Sequence, residues 1–246
     1  MNPSEQRVRR DLAACYRLVA MQGWDDLIFT HISARVPDEP GHFLINPYGL
    51  LFEEITASSL VKIDRQGQVI GSSPYPVNPA GFTIHSAIHE VRHDAACVMH
   101  LHTLDGTAVS TSAHGLLPLN QTAQLVCDGL AYHDYEGVAL DHAERPRLQQ
   151  DLGQKDMMLL RNHGTLTLGR SCAEAFLKMY FLERACSMQV RTLAISPLDQ
   201  TCPTAPDVLA KNAALMQGPG PAELANKLVW PALIRKLERR CPEFAD

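Results

Sequence analysis

The sequence predicts a single α/β domain in which helices cover the faces of a largely antiparallel or mixed sheet. Segments with alternating apolar and polar residues follow one another along the chain, as in hairpins, and segments with apolar stripes at helical spacing stand between them. Because strands and helices do not alternate one by one, an all-parallel sheet is disfavoured. The chain has 246 residues, of which 46% are hydrophobic, so it is long enough for one large core.

The first half of the chain is predicted to hold a helix, two hairpins and a second helix. Ser4 is a good N-cap for the first helix, and Gly23 suits its exit. Proline, aspartate and glycine at 37–41 form the turn of the first hairpin. The other predicted segments are the strands 27–36, 42–46, 60–64 and 68–71, and a helix from about 81 to 92.

The second half is predicted to carry the central strand and a long helix. Ser171 and Glu174 are expected to form a capping box at the start of that helix. Glycines and prolines at 217–221 predict a linker between a domain at 1–216 and a segment at 217–246, whose helix docks on the domain or on a neighbouring subunit. The other predicted segments are the central strand 94–102, a helix capped by Thr103, weaker strands at 125–131 and 137–140, a helix at 146–152, a buried strand at 157–160, a strand at 165–169 and a last amphipathic helix at 222–239.

Charge and composition narrow the classes of partner. The formal net charge is −5 and no basic run stands out, which argues against a nucleic-acid ligand. No apolar stretch approaches membrane-spanning length, and the N-terminus is too polar for a secretory signal. The seven cysteines are scattered without a Cys-x-x-Cys pair, so we expect reduced thiols rather than disulfides or a structural zinc site. We therefore expect a cytoplasmic protein.

Three histidines form the strongest functional signal. His100 and His102 stand two residues apart in the predicted central strand, so their side chains point to the same face. His163 lies where another apolar run meets a turn. Three neutral imidazoles with an open position suit a catalytic divalent metal ion, most simply Zn²⁺, although Mn²⁺, Fe²⁺ or Co²⁺ would also fit. The alternative is that all three are hydrogen-bonded polar residues at strand ends.

The motifs around these histidines resemble the class II aldolase/adducin family. His100-Leu101-His102 followed by Thr103, together with Arg161-Asn162-His163-Gly164, looks like that family's metal site, and the match runs from about residue 8 to residue 193. Within the family the chain is most similar to the adducin head domain and its bacterial relatives. Further matching stretches lie at 23–24, 27–28, 30–35, 42–45, 56–63, 80–88 and 132–135.

This resemblance implies a three-layer α/β/α domain around a central, mostly antiparallel sheet. It also implies one divalent metal ion per subunit, held by the three histidines, and a homotetramer with active sites between subunits. Adducin itself has lost the metal histidines in part of its family and serves as a cytoskeletal module. The chain keeps all three histidines, which favours chemistry over a scaffold role.

Departures from the family pattern concern the substrate. In the sugar-phosphate aldolases of this family a glutamate acts as general acid/base four residues before the helix histidine that matches His85, and here that position is Gly81. Those aldolases hold phosphate with Gly-Asn, Thr-Gly and Ser-Ser pairs, which are here residues 30–31, 48–49 and 79–80. Pro79 has no amide proton to offer a phosphate. A non-phosphorylated substrate is therefore expected.

Substitutes for the missing glutamate come from the same regions. Candidate acid/base groups are His85 and Tyr132, with Asp134 and Glu136 as further carboxylates. His85 and His89 stand four apart on a helix, which would allow metal binding, but the favoured interpretation places His85 beside the site or in the core and His89 in solvent. In relatives a substrate-binding asparagine occupies the position of His31, which is thus predicted to touch substrate or to be a packing residue.

These observations predict a metal-dependent lyase that cleaves a C–C bond beside a carbonyl, by retro-aldol reaction or decarboxylation, in a small hydroxy- or oxo-acid. Decarboxylation needs no base at the Gly81 position, so the missing glutamate favours it. One alternative is a non-catalytic, adducin-like assembly module. The other is an iron-dependent oxygenase on the same fold.

Overall fold

A seven-stranded sheet forms the centre of the molecule. The computed structural model describes residues 2–138 and 141–246, and within helix 79–91 the side chains of residues 79, 80 and 82 lie outside the description. The strand order is β3-β2-β1-β4-β7-β6-β5, and every pairing is antiparallel except β5 with β6. The prediction of a mostly antiparallel sheet is therefore confirmed. The strands are β1 His31–Arg35, β2 Phe43–Ile45, β3 Val61–Ile63, β4 Cys97–Leu101, β5 Leu130–His133, β6 Met157–Leu160 and β7 Gly164–Gly169.

Helices cover both faces of the sheet. Alternation along the central strand β4 sends Met99 into a core shared with α1, α6 and the C-terminal helix, and sends Val98 into a core shared with α2 and α5. This is a three-layer α/β/α arrangement. The α-helices are α1 Pro3–Gln22, α2 Pro79–Val91, α3 Leu104–Thr111, α4 Gln121–Val126, α5 Arg145–Leu152, α6 Cys172–Ile195, α7 Pro206–Leu215, α8 Gly220–Glu223 and α9 Trp230–Arg240.

Backbone conformation shortens the first predicted strand. The sequence predicts a strand over 27–36, but β1 begins only at His31. Leu27 and Thr30 have φ values of +50° and +65°, which belong to the left-handed region and break an extended chain. A turn at 26–30 therefore stands in place of the first four predicted strand residues, and it brings Asp26 toward the end of β4.

Of the strand predicted at 125–131, only residues 130 and 131 are extended, as the start of β5. Residues 121–126 form α4, because the Asn120 side chain accepts a hydrogen bond from the Ala123 amide and starts a helix there. A 3₁₀ turn follows, and β5 begins at Leu130. Of the strand predicted at 137–140, residues 137 and 138 form a bend, and residues 139 and 140 lie outside the described residues. The second predicted hairpin is reduced to β3 and a single bridge between Ile63 and Val69.

The C-terminal segment packs on the domain that precedes it. Trp230, Leu237 and Phe244 join the apolar core formed by α1 and α6. The helix predicted at 222–239 runs from α8 to α9 through a π-helical turn at residues 224–229, just before Pro231, whose missing amide proton cannot join a regular ladder. The division of the chain at residue 217 remains a prediction. Among the described residues, no helix is both long and apolar enough to cross a bilayer, and all seven cysteines are free thiols.

A carboxylate lies between α1 and the C-terminal segment, at Asp11. Its carboxylate accepts a hydrogen bond from the Trp230 indole N–H at 3.0 Å, and burial, together with nearby Cys172, raises the pKa of Asp11 from 3.8 to about 6. Because the folded state holds this proton more tightly than the unfolded state, the contribution of Asp11 to stability falls as pH rises from about 4 to about 6. The full loss is about 3 kcal/mol.

We expect Asp11→Asn, which keeps an acceptor for Trp230, to remove this pH dependence. Urea unfolding of the wild type and the variant at pH 4 to 7 measures how the free energy of unfolding changes with pH. The variant should match the wild type near pH 4 and should be the more stable protein at pH 7. A stability difference that does not change with pH would contradict the proposed burial of a carboxylate at this position.

Candidate metal centre

The pairing of β4 with β7 brings the three histidines together. His100 stands near the end of β4 and lies opposite Leu166 of β7, while His102 follows β4 and His163 ends the turn before β7. The ring centroids are 4.8 Å apart for His100 and His163, and 4.9 Å apart for the other two pairs. One ring nitrogen from each residue lies within 4.8 Å of the other two. The convergence predicted from the sequence is therefore present.

Hydrogen bonds orient two of the three rings. His100 donates its Nδ1 proton to the Thr165 carbonyl at 3.0 Å, and His102 donates its Nδ1 proton to the Asp26 carboxylate at 3.0 Å. These bonds leave both Nε2 atoms as lone-pair donors for an ion. The Nε2 of His102 is buried and has no hydrogen-bond partner, which is costly in the absence of a ligand.

Burial keeps two of the three imidazoles in the neutral form that suits a cation. Burial, reinforced by His102 and His133, lowers the pKa of His163 to about 4, and burial with neighbouring imidazoles holds the pKa of His100 well below its ordinary value. Neutral imidazoles are the form that binds a metal ion. The three residues therefore fit a divalent metal ion, and within the described residues they are the only group that does.

Asp26 is a residue beside the candidate metal centre that the sequence patterns do not reveal. It stands 76 positions before His102 and reaches it through the left-handed turn at 26–30, so no local spacing connects the two. A carboxylate that accepts a hydrogen bond from a metal-binding histidine fixes the tautomer of that histidine and raises the basicity of its other ring nitrogen. The only sequence signal was the acidic pair Asp25-Asp26 ahead of the predicted strand, which is weak.

A tight turn presents His163. Asn162 has a φ of +55°, a left-handed conformation that asparagine tolerates, and the His163 amide donates to the Leu160 carbonyl at 3.1 Å. Gly164 follows, and a Cβ at this position would lie 2.5 Å from the Leu101 carbonyl oxygen. The turn therefore needs a residue without a side chain where β7 begins.

His31 lies against the triad and fills the space beside Gly81. Its ring is 5.3 Å from the His100 ring and 4.5 Å from the His85 ring, centroid to centroid. Both of its ring nitrogens are buried without a hydrogen-bond partner. A Cβ at Gly81 would lie 2.6 Å from the Cδ2 of His31. The imidazole of His31 therefore occupies the room that a side chain at position 81 would need.

The His31 ring lies between His85 and the triad, and His89 is buried. His85 binds Ser33, and its ring faces His31. The prediction that His89 faces solvent is wrong, because its ring stacks on Phe43 and is only 4% exposed. Neither residue joins the three ligand nitrogens. Burial holds the pKa of His85 well below its ordinary value.

Tyr132 has partners of its own outside the triad. Its hydroxyl accepts a hydrogen bond from the Leu116 amide at 3.0 Å, and the Arg161 guanidinium lies 4.4 Å from its ring centroid. These contacts tie β5 to the segment after α3, and a catalytic role for Tyr132 remains a prediction. Tyr135, by contrast, is in ring contact with His163 at 6.3 Å. Glu136 forms an ion pair with Arg147.

Gly81 and His31 should behave as a coupled pair. We expect Gly81→Ala to destabilise the protein by about 1–2 kcal/mol, because overpacking against a ring held between His85 and His100 outweighs the helix propensity that alanine gains. In a His31→Ala background the same change should instead stabilise by about 1 kcal/mol. Urea unfolding of the wild type, the two single variants and the double variant measures this double-mutant cycle. If Gly81→Ala changed stability equally with and without the His31 ring, the close approach of Gly81 to that ring would be contradicted.

The fold and the site together define a class of protein. A mostly antiparallel sheet between two helical layers, with three converging imidazoles where its central strands end, is the class II aldolase architecture. The chain belongs to the family of the class II aldolase and adducin N-terminal domain, whose model matches residues 10–190. This confirms the family that the histidine motifs indicated.

Similar proteins include bacterial, fungal and animal members. The chain is 54% identical over 246 residues to a "Putative aldolase class 2 protein" of Caulobacter vibrioides, covering 100% of this chain and 95% of that protein. It is 49% identical over 193 residues to alpha-adducin of Mus musculus, which covers 77% of this chain but only 26% of adducin.

Two solved structures share the fold. An aldolase II superfamily protein from Pseudomonas syringae superposes with a TM-score of 0.93 at 46% identity, covering 100% of this chain and 98% of that chain. The L-fuculose 1-phosphate aldolase of Glaciozyma antarctica superposes with a TM-score of 0.85 at 27% identity, covering 98% of this chain and 92% of that chain.

Proposed function

We propose that the protein is a metal-dependent lyase that cleaves a C–C bond beside a carbonyl in a small, non-phosphorylated hydroxy- or oxo-acid. The observation that carries this proposal is the triad of His100, His102 and His163, whose nitrogens converge and include a buried Nε2 without a partner. The similarity to an L-fuculose 1-phosphate aldolase supports aldolase-type chemistry.

The three histidines would hold one divalent ion per subunit, for which we propose Zn²⁺, with Mn²⁺, Fe²⁺ or Co²⁺ as the other candidates. The ion would polarise a carbonyl oxygen and so stabilise the electron pair left on carbon by retro-aldol cleavage or decarboxylation. Asp26 and the Thr165 carbonyl would keep two of the rings in the orientation that binds it.

The surroundings of the triad favour a substrate without a phosphate. His31 lies beside the triad, and its neutral, buried ring offers no positive charge to an anion. The turn before it has Thr30 at a φ of +65°, where the family's phosphate-binding pattern has glycine. The bulk at positions 30–31 therefore stands where the sugar-phosphate aldolases have a glycine and an asparagine. His85 and Tyr132 remain the proposed acid/base groups.

Apolar side chains around the triad support assembly from several subunits. Leu27 and Phe29 are exposed next to Asp26, Leu104 is exposed two residues after His102, and exposed Tyr135 contacts His163. Exposed apolar groups around a site are typical of an interface. We propose a cytoplasmic homotetramer in which neighbouring subunits close the site, and seven free cysteines agree with a reducing compartment.

The second candidate is a non-catalytic, adducin-like assembly module. The observation that favours it is the 49% identity to alpha-adducin over 193 residues. In this case the histidines would serve folding, and stripping the ion would leave partner binding unchanged. The intact triad favours the lyase.

The test compares the metal-stripped protein with samples reloaded with Zn²⁺, Mn²⁺, Fe²⁺ or Co²⁺ on a panel of hydroxy- and oxo-acids and their phosphorylated analogues. We expect turnover only after reloading, and only of non-phosphorylated compounds. Oxygen consumption with Fe²⁺ alone would instead indicate an oxygenase. A protein that takes up metal but converts no member of the panel would favour the assembly module.

A further inference from the structure

A second group of buried polar side chains lies between β1 and α2. The Oγ of Ser33 is 2.6 Å from the Nδ1 of His85 and 2.8 Å from the Nε2 of His89. The Nδ1 of His89 is in turn 3.2 Å from the Ala95 carbonyl oxygen. All three side chains are buried. Because buried polar groups are hydrogen-bonded in native proteins, we expect each proton in this row to lie between two of the named atoms.

The direction of each hydrogen bond follows from one end of the row. A carbonyl oxygen only accepts, so the Nδ1 of His89 carries a proton and donates it to Ala95. Burial, together with the nearby Arg35 guanidinium, lowers the pKa of His89 to about 3, so the ring is neutral and its Nε2 is bare. Ser33 therefore donates its single hydroxyl proton to that Nε2.

The other end of the row is then determined. Having given its proton to His89, the Ser33 oxygen can only accept from His85, so the Nδ1 of His85 carries the proton. The Nε2 of the neutral His85 ring is left bare. That atom is buried and has no hydrogen-bond partner, and the nearest ring on its side of the row is His31, 4.5 Å away between centroids.

We propose that Ser33 and His89 are positioning residues that hold His85 in its Nδ1–H tautomer, with a bare Nε2 in the buried space beside His31. The row thus determines the proton positions from the Ala95 carbonyl, through His89 and Ser33, to His85, whose ring lies 4.5 Å from the His31 ring between centroids.

This arrangement has a consequence for the proposed acid/base role of His85, which rests on the proposed lyase function. A bare Nε2 on a neutral imidazole accepts a proton or a hydrogen bond, whereas a protonated Nε2 donates one. The row therefore makes the free side of His85 an acceptor.

Nitrogen NMR tests the tautomer directly. In protein labelled with ¹⁵N-histidine, long-range proton–nitrogen spectra distinguish a protonated ring nitrogen from a bare one, and the signals lost in His85→Gln identify His85. We expect a protonated Nδ1 and a bare Nε2 in His85, both in the metal-stripped protein and after reloading with Zn²⁺. A wild-type His85 that carries its proton on Nε2 would overturn the proposal without any further variant.

Two variants test the role of Ser33. Ser33→Ala should release His85 from the Nδ1–H form, so that its two nitrogens become more alike in the spectrum. Ser86→Ala is the matched control, because Ser86 follows His85 on α2 and its hydroxyl donates to the Thr83 carbonyl at 3.3 Å. An unchanged His85 spectrum in Ser33→Ala would also overturn the proposal.

Once a substrate is found, Ser33→Ala with full metal content should lower kcat by about ten- to a hundredfold, as changes behind a site residue commonly do. Ser86→Ala should have no effect. An unchanged kcat in Ser33→Ala would overturn the role of Ser33 in positioning His85 for the reaction. Because the tautomer is measured without turnover, a failure of the lyase proposal would remain distinguishable from a failure of this one.

Discussion

Replacing His102 by alanine is expected to remove the bound metal ion. The substitution deletes the imidazole whose Nε2 is buried without a partner, and it leaves two nitrogens where a tetrahedral site needs three protein ligands. We expect metal affinity to fall by well over ~100-fold, since even changes to the residues behind a ligand commonly cost 10- to 100-fold. Elemental mass spectrometry of the purified, untagged variant measures the loss.

Two further variants make this result specific. Asp26→Asn should weaken metal binding by the smaller factor of about 10- to 100-fold, because the ligand remains but loses the carboxylate that orients it. His114→Ala, which removes an exposed histidine, should retain one ion per chain. If His102→Ala kept one ion per chain and full activity, the metal centre proposed at the triad would be wrong.

Replacing Gly164 by alanine is expected to cost about 3 kcal/mol of stability. The added Cβ would lie 2.5 Å from the Leu101 carbonyl oxygen and 3.1 Å from the Cδ2 of His102. Neither neighbour can move away easily, because Leu101 is paired with Thr165 in the centre of the sheet. Overpacking of this kind typically costs 1–3 kcal/mol, and a clash with backbone belongs at the upper end.

Thermal unfolding of the metal-stripped protein measures this cost without a contribution from the ion. A loss of about 3 kcal/mol corresponds to a fall in Tm of roughly 6–12 °C for a domain of this size. Gly218→Ala is the matched control, because a Cβ at Gly218 meets nothing within 4 Å, and its Tm should stay close to that of the wild type. An unchanged Tm in Gly164→Ala would contradict the close approach of β4 and β7.

Local patterns in the sequence were sufficient for the triad and for much of the sheet. The period of two along 98–102 places His100 and His102 on one face, and the apolar run at 157–160 corresponds to β6. Ser171 caps α6 as predicted, because its side chain accepts a hydrogen bond from the Glu174 amide. The predicted capping box does not close, because the Glu174 side chain accepts from the Arg170 amide instead. Such features depend on neighbours within a few residues, so the chain itself contains the information.

Backbone strain and capping limited the prediction elsewhere. Leu27 and Thr30 read as strand residues by side-chain pattern, yet both adopt a left-handed conformation that no side-chain period reveals. Residues 125 and 126, the first two of the strand predicted at 125–131, instead end α4, because a short apolar run fits either structure and the Asn120 cap begins a helix.

The sequence by itself determined the α/β class, the family and the identity of the three converging histidines. Only the tertiary structure decided that Asp26 supports His102, that His31 fills the space beside Gly81, and that His89 is buried with Ser33. The physical reason is distance along the chain. Periodicity shows which face a side chain takes, but the partner that meets it comes from a segment about 50 or more residues away, and only the packing of β1, α2 and β4 brings them together.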